Sequence, residues 1–463
     1  MKEGNRGQLF RKYFLLTVVA LGAGVIYKVA YMREAFYDAM LAGFQITNTQ
    51  LGEISSLYGT IALICYVPGG ILADKIHYKY LLCSSFIGTG ALTLWCATMP
   101  GYGTVKLIFA LMAIFTILTY WSAFVKTVRA LGDDSEQGRM FGLAEGIRGV
   151  SGIVVSFIVM ALIELAANSV LGMQYMLVFY GIIYVAVGII TFVLLPKPEK
   201  RMEESVKEAF SLKEFVGALK CKGTWIVCAI VFFWYVAYSA TSYSIPYLTN
   251  VFGVSSVLIG SISIIRAYAI GILAAPFAGF AADKIKSCSR ALAYFAIAGF
   301  IIIAGLLFIP AKSSWIMIAI VVTLLFSFVI FSARGIYFSP MAEAGIPFAL
   351  TGAASGIISI VGYSPDMFIY NIMGKWLDKY PGAQGYRYIF ILTAVSMIAA
   401  FAVCWYAYRY GKKIARKKEN ENLKEIYYEI KDSFESADKK YGKISLMGFK
   451  TPSGVEIPRL KIY

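Results

Sequence analysis

Several ionisable residues of this sequence lie inside long apolar segments. The basic ones are Lys28, Arg148, Arg266 and Arg334, and the acidic ones are Glu145 and Asp366. A charged side chain inside a bilayer is costly unless it faces water or a partner, so each of these residues is a candidate for a functional site. The cations outnumber the acids, and the planar guanidinium group of arginine matches carboxylate, sulfonate and phosphate groups in bidentate geometry. The pattern therefore predicts a positively charged cavity that binds a small organic anion.

The two embedded carboxylates are the candidates for coupling transport to protons. Burial in an apolar medium disfavours the charged form of an acid, which allows the group to take up and release a proton. Glu145 lies one helical turn before Arg148, so these two side chains would equally form a structural ion pair. Asp366 follows Pro365 in another apolar segment and has the same alternative. The sequence leaves proton symport and the exchange of one anion for another open.

Aromatic residues accompany the cations. Tyr31 and Tyr238 occupy equivalent places in two segments that are rich in aromatic residues. A phenol offers a substrate both an apolar wall and a hydrogen bond. Both tyrosines are candidate substrate contacts, with packing between helices as the alternative.

The composition requires a membrane around these residues. Of the 463 residues, 59% are hydrophobic and 15% are charged, whereas soluble proteins are about 45–50% apolar. Apolar runs of about 20 residues or more, long enough to cross the hydrocarbon core of a bilayer, recur along the chain. We place about twelve transmembrane helices at 12–34, 52–73, 80–98, 106–128, 139–165, 174–195, 223–248, 256–281, 289–310, 314–339, 349–373 and 388–410. The predicted fold is an all-α membrane protein.

One half of the sequence occurs twice. Pro68–Ile76 and Pro276–Ile285 are near copies, and the triplet that ends at Tyr31 matches the triplet that ends at Tyr238 in the same order. A parallel internal repeat in an apolar chain is typical of one class of secondary transporter. We therefore expect two pseudo-symmetric six-helix bundles, at 1–195 and 223–410, with a cytoplasmic linker at 196–222 and a cytoplasmic tail at 411–463. The tail is expected to hold a helix near 422–435 and to be solvated elsewhere.

The repeat also ranks the candidates. Arg266 is the strongest candidate for substrate contact, because its counterpart Tyr58 is uncharged and symmetry alone does not explain the charge. Small residues line one face of the fifth and the eleventh helix, where they would let two backbones approach and slide. They are Gly142, Gly146, Gly149 and Gly152 in the fifth helix, and Gly352, Gly356 and Gly362 in the eleventh.

The basic residues predict the orientation. The net charge is +16, and Lys and Arg flank the apolar segments near both termini. Because cytoplasmic loops carry an excess of Lys and Arg, both termini are predicted to be cytoplasmic, with Arg33 in a short loop on the opposite side. The cations are dispersed over many loops, which argues against a nucleic-acid partner. The seven cysteines and His77 lack metal-binding spacing, so we expect no metal or cofactor. We also expect the protein to be a monomer in the inner cell membrane.

The loop after the second helix, Gly70 to Lys79, resembles the loop signature of the major facilitator superfamily, which is glycine, three residues, aspartate and then basic residues. A second copy, Gly279 to Lys284, follows the eighth helix, where that family repeats the signature. The resemblance implies a gate that closes the cytoplasmic side. The gating candidates are Asp74, Lys75, Asp283 and Lys284. His77 stands where the family usually has a second glycine.

Two further segments, 126–142 and 334–343, resemble bacterial transporters related to the nitrate and organophosphate carriers. This resemblance implies an anionic substrate.

The sequence therefore predicts a secondary active transporter that moves a small organic anion by alternating access. Two alternatives stay open. An exporter of amphipathic or drug-like compounds would carry embedded acids and few embedded arginines, and a sensor would bind a solute without moving it. An enzyme would need clustered His, Cys or paired acids, and a direct ATP user would need a glycine-rich lysine loop; the sequence has neither pattern.

Overall fold

The computed structural model describes residues 3–131, 137–195, 212–441, 444–450 and 456–462. We number the membrane-crossing segments as spans 1 to 12 in chain order. In the first half, span 1 comprises Glu3–Val25 and Arg33–Phe44, span 2 is Asn48–Lys75, span 3 is Tyr78–Cys96, span 4 comprises Tyr102–Ala113, Ile114–Trp121 and Ser122–Leu131, span 5 is Gln137–Glu164 and span 6 is Ser169–Leu194.

In the second half, span 7 comprises Lys222–Thr241 and Ser244–Phe252, span 8 comprises Ser256–Ile264, Ile265–Ala269 and Ile270–Ile285, span 9 is Cys288–Phe308, span 10 is Ile316–Ile336, span 11 comprises Thr351–Gly362, Ser364–Met367 and Ile369–Lys379, and span 12 opens the helix Ala383–Tyr441. Shorter helices are Leu212–Lys220, Ser313–Trp315, Pro340–Glu343 and Phe348–Leu350.

The spans form two six-helix bundles. Within the described residues, nine helical stretches, which correspond to spans 4 to 12, are long and apolar enough to cross a membrane by length and composition. Spans 1 to 3 do not meet this criterion, but their packing makes them part of the bundles. Span 1 packs on span 5, span 3 on span 6, and span 2 on span 11 of the other bundle. The predicted all-α architecture is confirmed. Helices suit a lipid environment because they satisfy their backbone hydrogen bonds internally.

Span 1 differs from the predicted helix 12–34. It continues to Phe44, and residues 26–32 form turns between its two helices. The hydroxyl of Tyr184 accepts a hydrogen bond from the Val29 N–H (3.2 Å) and donates one to the Val25 carbonyl (2.9 Å). One side chain thus satisfies two backbone groups beside the break, which makes an irregular backbone tolerable at this depth.

Spans 7 and 8 are irregular as well. Span 7 is interrupted at 242–243, close to the repeat counterpart of the break in span 1. Span 8 contains the π-helical turn Ile265–Ala269, which carries Arg266. Interrupted helices and π-turns often lie at the binding sites of membrane carriers.

Among the described residues, the closest backbone approaches between the two bundles lie on one side of the membrane. Twelve spans return the chain to the side where it starts, so we call that side the terminal side and the other the far side. On the far side, a Cβ added at Gly52 would lie 2.3 Å from the Tyr370 carbonyl oxygen, and one at Gly374 would lie 2.3 Å from the Asn48 carbonyl oxygen. Toward the terminal side, a Cβ added at Gly70, Gly142, Gly146, Gly279, Gly352 or Gly356 would meet nothing within 4 Å. The interface is therefore closed on the far side and open on the terminal side.

A carboxylate fastens the far side. Asp378 of span 11 accepts hydrogen bonds from the Thr49 N–H (2.7 Å), the Asn48 N–H (3.1 Å) and the Asn48 side-chain amide (2.8 Å). It therefore caps the first turn of span 2 from the other bundle, where the helix dipole favours negative charge.

The linker contains a short helix, and the tail is more ordered than the sequence suggests. In the linker, Leu212–Lys220 is helical, while 196–211 lie outside the described residues. The expected short tail helix near 422–435 is instead part of a continuous helix of 59 residues, Ala383–Tyr441. It is followed by an antiparallel hairpin of Ile444–Lys450 and Glu456–Ile462, the only strands in the described part of the chain.

Replacing Gly52 by leucine is expected to weaken the far-side closure. The added side chain meets backbone atoms that cannot rotate away, and such overpacking costs about 1–3 kcal/mol. Spin labels on the far-side ends of spans 2 and 11 should report longer distances than in the unaltered protein.

Gly103→Leu is the matched control, because a Cβ at Gly103 on the same side meets nothing within 4 Å. Equal distance distributions in the two variants would contradict the closure by spans 2 and 11.

Candidate functional site

Arg334 faces the space between the bundles. Its guanidinium carbon lies 4.1 Å from the ring centroid of Tyr238, and its side chain is exposed to solvent. No carboxylate of the described residues lies within ion-pair distance of it. The residues that line this recess are Trp234, Tyr235, Tyr238, Ile330, Arg334 and Tyr337. An arginine without an acidic partner on an aromatic wall is suited to bind an anion with an apolar part.

More tyrosines extend this wall. The hydroxyls of Tyr337 and Tyr363 lie 3.1 Å apart, and the rings of Tyr235 and Tyr363 are 4.8 Å apart between centroids. Tyr66 of span 2, in the first bundle, interacts electrostatically with Arg334. The predicted partner Tyr31 lies on the first-bundle side, with its ring 5.3 Å from that of Tyr58.

Lys28 and Arg148 lie on the first-bundle side of the interface. Arg148 pairs with Glu145 at 2.8 Å, and the two side chains are 36% and 51% exposed. Lys28 is buried, and its Nζ donates to the Gly152 carbonyl (3.0 Å) and lies 3.3 Å from the Ser156 hydroxyl. Lys28 thereby ties the broken part of span 1 to span 5.

Arg266 is fully buried on the far side, where the bundles meet. Its guanidinium lies 3.4 Å from Glu34 Oε2 and donates to the Glu34 backbone carbonyl and to the Thr241 hydroxyl (3.2 Å). The Ser242 hydroxyl donates to the other oxygen of Glu34 at 2.7 Å. Glu34 of span 1 thus links spans 7 and 8 of the opposite bundle.

Asp366 lies beside this cluster. Its Oδ2 accepts a hydrogen bond from the Tyr235 hydroxyl (2.8 Å), while the buried Oδ1 has no hydrogen-bond partner in the described part of the chain. Arg33 is also buried, with its guanidinium 3.7 Å from the ring centroid of Tyr370. A buried carboxylate oxygen without a hydrogen-bond partner is costly to keep charged. Oδ1 is therefore the atom of Asp366 at which a proton would bind.

Sequence reasoning missed two residues of this cluster. The sequence places Arg33 in a loop and Glu34 at the end of span 1, but both are buried. The apolar residues up to Phe44 were the signal that span 1 continues. With Glu34 counted, Arg266 has an acidic partner, whereas Arg334 is exposed and has none among the described residues.

The predicted gate residues lie on the open terminal side. Lys75, Asp283 and Lys284 are exposed, and the side chain of Asp74 lies outside the described residues. Nearby, Lys126 donates to the Ala73 carbonyl at 2.7 Å. A gate that closes this side is not expected to be paired in a state in which the side is open, so the gating role stays a prediction.

Comparison with known proteins agrees with this architecture. The sequence model of the Major Facilitator Superfamily matches residues 13–369. The inner membrane protein YihN of Escherichia coli K12 is 32% identical over 413 residues, which cover 88% of this chain and 97% of that protein. The inner membrane protein YqcE of the same strain is 29% identical over 399 residues, which cover 85% and 94%.

Solved structures share the fold. A bacterial homologue of the human lysosomal transporter Spinster, in an inward-facing and unoccupied conformation, gives a TM-score of 0.66 at 15% identity and covers 89% of this chain and 98% of that one. The nucleoside transporter NupG gives a TM-score of 0.66 at 15% identity, with 85% and 98% covered. At this identity the likeness shows the fold alone.

Replacing Glu34 by glutamine is expected to destabilise the protein. Glutamine keeps the shape but leaves Arg266 buried without a negative charge, and removing one partner of a buried ion pair costs about 3–5 kcal/mol. Thermal unfolding of the purified protein in detergent should show a clearly lower midpoint.

Glu421→Gln is the control, because Glu421 is 57% exposed and pairs with the exposed Lys417 at 3.7 Å. The double variant Glu34→Gln, Arg266→Gln should recover part of the loss. Strictly additive losses would show that the two charges are not coupled.

Proposed function

The chain belongs to the major facilitator superfamily and is a membrane transporter, not an enzyme, and from this premise we propose that it carries a small organic anion by alternating access. The observation that supports the anion is Arg334, an exposed arginine beside aromatic rings with no carboxylate partner among the described residues. The phenol rings around it would hold the apolar part of the substrate.

The positions of the other cations favour the same substrate. Lys28 and Arg148 interact electrostatically with each other on the opposite bundle. Both are basic residues, and they place the potential for positive charge on that side of the interface. A cavity of one charge sign concentrates ligands of the other sign. Arg266 would join the pathway only when the far side opens, because Glu34 now occupies it.

The orientation is part of the proposal. The terminal side would be the cytoplasm of the inner cell membrane, because Lys and Arg concentrate near both termini. The structure would then be inward-open, and the pairing of Asp74, Lys75, Asp283 and Lys284 would form the gate in the outward-open state. The carrier would act as a monomer.

For energy coupling we propose proton symport through Asp366, with anion exchange as the alternative. The unpartnered Oδ1 of Asp366 and its place at the interface of the bundles support this role. Glu145 is the weaker candidate, because it is exposed and already paired with Arg148.

Uptake by purified protein in liposomes tests the anion. Labelled small carboxylates, sulfonates and phosphate esters should accumulate, whereas neutral sugars and nucleosides should not. Arg334→Ala should lose about tenfold or more in apparent affinity, because a hydrogen bond to a charged group contributes about 1.5–3 kcal/mol. Arg334→Lys should recover only part, since the planar fork is lost.

Arg387→Ala is the control, because this exposed arginine lies on the far side of span 12 away from the recess. Uptake of neutral solutes that Arg334→Ala leaves unchanged would refute the anion proposal. Binding without accumulation would identify a sensor, and transport restricted to amphipathic cations would identify an exporter.

The coupling proposal predicts a split between two transport modes. Asp366→Asn should abolish the stimulation of uptake by an inward proton gradient, while exchange of labelled for unlabelled anion across the membrane continues. Glu145→Gln should retain the stimulation. If Asp366→Asn responds to the gradient as the unaltered protein does, anion exchange becomes the mechanism to pursue.

A further inference from the structure

Two cations converge on one tyrosine at the terminal side, away from the transport pathway. The guanidinium carbon of Arg290 lies 5.6 Å and Lys412 Nζ lies 4.9 Å from the ring centroid of Tyr408. Arg290 Nε also donates to the Tyr294 hydroxyl at 2.7 Å. Spans 9 and 12 thus present two positive charges beside two phenols.

Neither cation has an acidic partner among the described residues. The carboxylate of Glu343 lies against the start of span 9 and already accepts three hydrogen bonds there. Its donors are the Ser287 hydroxyl (2.9 Å), the Cys288 N–H (2.5 Å) and the Ser289 N–H (3.2 Å). Two like charges beside one ring repel each other, and an anion bound to both would offset this repulsion. No carboxylate among the described residues supplies this negative charge. The pair can therefore take an anion from outside the protein.

The position of the pair identifies the source of that anion. Tyr294 (39% exposed), Ile297 (40%), Ile301 (63%) and Phe308 (83%) form an exposed apolar stripe along span 9. In a bilayer this stripe faces acyl chains, and Arg290 lies one turn beyond its terminal-side end, at the level of the headgroups.

The same level carries further pairs of a cation and an aromatic ring. Arg409 lies 5.8 Å from the ring centroid of Trp405, and Lys222 lies 5.3 Å from that of Tyr410. Tyr and Trp are enriched at the boundary between lipid and water. The aromatic residues place this part of span 12 at that boundary.

We propose that Arg290 and Lys412, with the hydroxyls of Tyr294 and Tyr408, bind the phosphate of an anionic phospholipid. The two cations neutralise the phosphate and the phenols donate hydrogen bonds to it, while an acyl chain follows the stripe from Tyr294 to Ile301. A free phosphate ion would use the charges but not the stripe, so the lipid is the ligand to which we commit. This site does not depend on which solute the carrier moves.

Native mass spectrometry of the full chain tests the site. The protein is equilibrated in detergent with phosphatidylglycerol and phosphatidylethanolamine of equal chain length, and bound lipids are counted for each. Phosphatidylglycerol should be retained over phosphatidylethanolamine, and its binding constant should fall about fivefold for each of the changes Arg290→Gln and Lys412→Gln.

Lys417→Gln is the matched control, because Lys417 is 79% exposed on the same helix and pairs with Glu421. An equal loss in this control would replace the site by a diffuse attraction to the basic helix and overturn the proposal, as would equal retention of the two lipids. If millimolar inorganic phosphate displaces phosphatidylglycerol completely, the site binds a free anion and not a lipid.

Lys412→Gln alone keeps the test valid if Arg290→Gln disturbs folding, because Lys412 is an exposed residue on the surface of a helix. Circular dichroism confirms that each variant is folded. The readout is lipid binding, so a failure here leaves the transport proposal intact, and a failure of the transport proposal leaves this site intact.

Discussion

A charge buried in hydrocarbon must find a partner, and this constraint arranges the interface between the two bundles. Arg266 finds Glu34 across that interface, and Lys28 finds a backbone carbonyl of span 5. Each partner comes from another span, so every solution also fixes the position of a helix. Arg334 stands apart because it is accessible and has no described carboxylate near it. A cation that the protein leaves without a partner is free to bind a substrate of opposite charge.

The broken helices follow from the same constraint. Span 1 leaves its helical path at 26–32, and Lys28, Tyr31 and the Arg33–Glu34 pair lie in or beside that segment. A straight helix would repeat its side chains every turn and could not direct these groups both to span 5 and to the opposite bundle. The break is tolerable because the Tyr184 hydroxyl satisfies the Val25 carbonyl before it and the Val29 N–H within it. One tyrosine of span 6 therefore supports the geometry of residues in span 1.

The sequence was sufficient for the architecture because its signals are local. Apolar runs and a repeated loop do not depend on which way a side chain points, so the spans, the two halves and the family could be predicted from them. The environment of each charge depends on a partner far away in the chain. Glu34 was missed because a helix of ordinary length ends there, whereas the interrupted span runs on to Phe44. The hairpin of the tail was missed because short strands of mixed polarity look like solvated chain.

Opening the far side would affect Arg266 and Arg334 differently. Opening the far side must separate Arg266 from Glu34 and Asp378 from the start of span 2, and the charge of Arg266 then faces water or a ligand. Arg334 already faces the open terminal side in the present state. On our proposal, an anion therefore meets a guanidinium from whichever side it enters. Breaking the Arg266–Glu34 pair has a cost, which is offset only if new contacts form at the same time on the terminal side, where glycines of spans 5 and 11 have open space beside them. The far side and the terminal side are then not open together.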